Sequence, residues 1–167
     1  MKRILLPLFL GVIFLTLQTT LLTSPPIRRI RPDIVLVLTV YLGFFYPAVS
    51  GGVLAVVIGI LMDLFSGNSF GLYTVSRPLI FYVSQFFKGR FYLVSFWSHF
   101  LIVLIFGLAE GLLLLLLLGL VNSSPLGPLY RLFFTSLFPQ SFFTALLAPI
   151  LFFLIHRLSL HSSVGAG

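Results

Sequence analysis

The chain has 167 residues, 59% of them hydrophobic and 8% charged, with a formal net charge of +7 and a mean hydropathy of +1.19. An average soluble domain is about 25% charged, so a compact soluble protein of this size could not cover its surface with water-compatible side chains. A disordered chain is excluded too, because it needs low hydrophobicity and high charge.

Met1-Lys2-Arg3 leads into an apolar first helix over about 4–23. No A-x-A-like cleavage site follows, only Thr23-Ser24-Pro25-Pro26, so this is an uncleaved span rather than a signal peptide. Gln18, Thr19 and Thr20 near its end suit helix–helix hydrogen bonding. The next loop carries Arg28, Arg29 and Arg31. Residues 34–65 are apolar but interrupted by Pro47-Ala48-Val49-Ser50-Gly51-Gly52, a turn signal. One helix there would be about 48 Å long, against a hydrocarbon core of about 30 Å. Two short helices, 33–47 and 52–65, fit better. Loop 66–71 contains Gly67 and Gly71. A fourth helix over 72–87 contains Arg77-Pro78 and ends at Lys88-Gly89-Arg90. The fifth, 94–121, holds Glu110 and a run of leucines from Leu112 to Leu118. Residues 129–138 are expected partly in the interface, with Tyr130 and Arg131 at headgroup depth. The last helix is read as 139–157, with Pro149 kinking its middle, followed by a flexible tail over 159–167. The fold class is therefore all-α: one polytopic membrane helix bundle over 1–158.

Topology signals conflict. Six spans with the N-terminus inside leave Arg28, Arg29, Arg31 and Arg131 outside, against the positive-inside tendency. Five spans with the N-terminus outside score better on charge but require 34–65 to cross once, despite its break. Six spans are preferred. Both readings put the C-terminus in the cytoplasm.

A charge within an apolar segment costs several kcal/mol unless paired or hydrated, so these are the informative residues. Asp33 reads as an N-cap. Asp63 ends a stripe of Gly52, Ala55 and Gly59 on one helix face and should point into the bundle. Arg77 shares a helix face with Tyr73, Thr74, Ser84 and Lys88. An Asp63–Arg77 or Asp63–Arg31 ion pair is expected. Glu110 sits within the G-x-x-x-G of Gly107 and Gly111, and its readings are internal packing, partner binding or transport chemistry. The glycine face and the first helix are candidate grooves for a partner helix.

No enzyme signature emerges. His99, His156 and His161 are scattered, there is no Cys, and no H-x-x-x-H, D-x-D or phosphate loop occurs. No catalytic, cofactor-binding or metal-binding residue is assigned. The basic residues lie in short clusters at helix ends, so the expected partners are lipid and protein, not nucleic acid.

The string Arg31-Pro32-Asp33-Ile34, about thirty apolar residues, and then Gly59-Ile60-Leu61-Met62-Asp63-Leu64-Phe65-Ser66-Gly67-Asn68-Ser69-Phe70-Gly71-Leu72 resemble the bacterial rod-shape-determining MreD family. Gln18 to Thr20 and Glu110 also match its pattern, whereas the Pro25–Arg29 loop and Arg77-Pro78 depart from it. The resemblance implies a non-catalytic inner-membrane scaffold of the cell-elongation machinery. Such proteins bind MreC, a single-span protein, and help couple MreB filaments to RodA and its penicillin-binding transpeptidase in lateral peptidoglycan synthesis. It also implies a six-helix bundle similar to the S components of vitamin transporters. A substrate-binding transporter component is therefore the alternative function, although the first helix has only Gly11 and no small-residue pair of the kind those proteins use.

Overall fold

In the computed structural model of the protein, which describes residues 2–21, 32–66, 71–90, 95–122 and 133–164, the centre is a helix of only 12 residues, α2 (Ile34–Phe45). It is apolar all round, and every residue from Val35 to Phe44 is buried. A helix without a polar face has nothing to offer water, so its neighbours enclose it. α1 (Lys2–Leu21), α3 (Ala48–Ser66), α4 (Leu72–Phe87), α5 (Phe96–Asn122) and α6 (Phe138–Val164) all pack against it. One π-helical turn, Phe133–Leu137, leads into α6.

Residues 34–65 thus form two helices, as the six-helix reading expects, but the break is shorter than the sequence suggests. Only Tyr46 and Pro47 lie between α2 and α3. Tyr46 takes extended backbone, which the following proline favours. The Pro47 carbonyl then accepts the Gly51 N–H at 2.9 Å and starts α3. Gly51, read as part of the turn, and Gly52, read as the start of the third helix, both lie inside α3, where α4 comes close. A Cβ on Gly51 would meet the Phe81 ring at 2.5 Å, and one on Gly52 the Tyr82 hydroxyl at 2.5 Å. The gain of a turn makes α3 19 residues, about 28 Å, rather than a short span.

The last helix is also longer than expected. α6 starts at Phe138, runs through Pro149 and reaches Val164, so the tail expected to be flexible from 159 is helical for another turn. Arg28, Arg29, Arg31, Gly67, Tyr130 and Arg131 lie outside the described residues.

Large apolar side chains face outward, while Asp33, Asp63, Arg77 and Glu110 face inward. Val49 is 80% exposed and Trp97 and Phe153 are 68% exposed, while Arg77 is fully enclosed. That inversion suits a lipid surround, where apolar side chains cost nothing outside and charges must find partners inside. α3, α5 and α6 are each long and apolar enough to cross a membrane. The molecule is a polytopic helical membrane bundle.

Between α3 and α4 the approach is closest at Gly59, where an added Cβ would lie 2.5 Å from the Tyr73 carbonyl oxygen and 2.9 Å from Thr74 Cα. Both are backbone atoms of a helix and cannot step aside. Gly59→Ala is expected to cost about 1–3 kcal/mol through overpacking. Gly11→Ala, whose Cβ would meet only the side chain of Ile58 at 3.3 Å, should cost less. Detergent-titrated unfolding of the two variants checks this; equal midpoints would count against so tight an α3–α4 contact.

Candidate functional site

Arg77 lies one and a half turns into α4, on the face turned to the interior. Its Nη2 donates to Asp33 Oδ2 at 2.5 Å, and its Nη1 lies 3.2 Å from Glu110 Oε2. The two carboxylates come from α2 and α5, so one guanidinium bridges three helices. The planar fork allows this, presenting two nitrogens to two acceptors at fixed spacing. Tyr73, one turn earlier, places its ring 5.5 Å from the Arg77 Cζ. Arg77 Nε and Nη1 are buried with no hydrogen-bond partner among the described residues, so the Nη1–Glu110 contact is an ion pair rather than a hydrogen bond.

Each acid makes a second contact. Glu110 Oε1 accepts the Ser76 hydroxyl at 3.2 Å. Asp33 caps α2, its Oδ1 accepting the Leu36 N–H at 3.0 Å. The Asp33 backbone N–H donates to Thr144 Oγ1 of α6 at 2.8 Å, and that hydroxyl donates onward to the Gln140 carbonyl at 2.7 Å. Asp33, Ser76, Arg77, Glu110 and Thr144 are all buried. The cluster therefore joins α2, α4, α5 and α6 in the buried interior of the bundle.

The expected Asp63–Arg77 pair is not formed. Asp63 is buried and faces α4, but its Oδ2 accepts the Gly71 N–H at 3.1 Å, the Thr74 N–H at 2.9 Å and the Thr74 hydroxyl at 2.5 Å. Its Oδ1 accepts the Tyr73 N–H at 3.0 Å. Asp63 is thus an N-terminal cap supplied from another helix. The physical reason is position. The end of α3 sits at the start of α4, where backbone N–H groups lack partners and the helix dipole favours an anion. Arg77 lies more than a turn deeper and meets carboxylates from other helices first. Gly71, with φ of +99°, is the N-cap residue of α4 and turns the chain so that these donors converge on one carboxylate. The alternative pairing with Arg31 falls outside the described residues.

Gly107 and Gly111 pack inside the chain. A Cβ on Gly107 would meet Ser141 at 3.1 Å, and one on Gly111 would meet Leu137 at 3.4 Å. The face that had been a candidate groove for a partner is filled by α6 and the turn before it.

A family model describing the rod shape-determining protein MreD matches residues 2–160. The chain belongs to the MreD family. Neither a curated protein nor a solved structure matches it. The MreD match covers all members of the charge cluster, Asp33, Arg77 and Glu110, and the Asp63 cap. Membership gives the protein a role in determining rod shape.

Sequence reasoning missed Thr144, Ser76 and Gln85. Ser141, Thr144, Ala145 and Ala148 recur at helical spacing and are all buried, a small-residue stripe that would have marked the face of α6 turned to α2 and α5. Gln85 Nε2 donates to the Tyr46 carbonyl at 2.6 Å, joined by Lys88 Nζ at 3.3 Å. These bonds anchor the end of α4 to the corner between α2 and α3. Among the described residues, no three His, Cys, Asp or Glu side chains are grouped to hold a metal ion.

Proposed function

We propose that the chain is a non-catalytic scaffold of the cell-elongation machinery in the bacterial inner membrane. In this reading it binds an MreC-like single-span protein. Through that protein it helps couple MreB filaments to lateral peptidoglycan synthesis by RodA and a penicillin-binding transpeptidase. Both termini lie in the cytoplasm. The observation that carries the reading is membership in the MreD family. The interior supports it. The ionisable groups of α2 to α5 are spent on one another and on helix ends, which holds the bundle in a single arrangement. A scaffold needs a fixed outer surface for another helix to pack against, not a reacting group. With the Gly107/Gly111 face filled, the outer face of α1, with Phe9, Val12 and Leu17 exposed, remains as the surface for that partner.

Affinity capture from native membranes is expected to recover an MreC-like protein, and depletion is expected to turn rods round. A null result in both assays would overturn the proposal. The native chain has no cysteine, so single cysteines introduced in loop 24–32 report sidedness cleanly. Labelling from outside supports six spans with a cytoplasmic N-terminus; labelling only from the cytoplasm overturns that arrangement.

A further inference from the structure

We draw no further inference here: the strongest candidate, the Nε and Nη1 donors of Arg77 left without a hydrogen-bond acceptor among the described residues of the buried cluster between α2, α4 and α5, belongs to the site already described and is too fully enclosed to admit a ligand.

Discussion

Arg77→Met is expected to lower stability by about 3–5 kcal/mol, the cost of removing one partner from a buried charge arrangement. Methionine fills similar space and suits a helix, so neither volume nor propensity accounts for such a loss. What remains is two carboxylates, Asp33 and Glu110, facing each other in the interior with their shared cation gone. The variant should show reduced abundance in the membrane and an earlier midpoint in detergent-titrated unfolding. Arg77→Lys should recover little of this. An ammonium is a point charge and cannot present two nitrogens to acceptors on α2 and α5 at once. Adding Glu110→Gln to Arg77→Met should recover a substantial part. It removes the charge that has lost its partner and keeps an acceptor for the Ser76 hydroxyl. The double-mutant cycle then reports coupling between Arg77 and Glu110 directly. A midpoint for Arg77→Met within about 0.5 kcal/mol of wild type, the range of surface substitutions, would mean that the cluster is hydrated.

How much of this was legible beforehand follows from the range of each interaction. Composition sufficed for a membrane helix bundle, because 8% charge excludes water as the surround whatever the details. Helix faces were also readable. The stripe Gly52, Ala55, Gly59 and Asp63 lies against α4, since a period of 3.6 residues leaves no other arrangement for small residues in a membrane helix. Asp33 as an N-cap depends only on its own helix, and it is one. The pairing of charges was not readable. Asp63 and Arg77 are close in sequence and on facing helices, yet which carboxylate meets Arg77 depends on depth along the bundle. Depth is set by how α2 and α5 slide against α4, and no local pattern encodes that slide. The start of α3 failed for a related reason. Gly51 and Gly52 carry the same signal whether they turn the chain or admit a neighbouring helix, and the deciding partners, Phe81 and Tyr82, lie 30 residues away.

Asp63→Ala is expected to cost roughly 2–3 kcal/mol, because it strips the acceptor from three backbone N–H groups and one hydroxyl at the start of α4. The loss stays below that for Arg77 because the start of α4 is only part-buried, so water can reach some of the freed donors. The mechanism differs from a broken ion pair and predicts a graded series. Asp63→Asn keeps one side-chain oxygen and should lose about half as much, since an uncharged amide still caps a helix but no longer complements its dipole. Asp63→Glu should also be impaired, because the longer side chain carries its oxygens past donors that converge on the present position. The effect should be local: hydrogen exchange in Asp63→Ala should rise at Tyr73 and Thr74 while α5 and α6 remain protected. If Asp63→Asn lost as much as Asp63→Ala, the charge alone would be the stabilising element and capping would not. If exchange rose evenly through the molecule, Asp63 would act on the whole bundle and not on the first turn of α4.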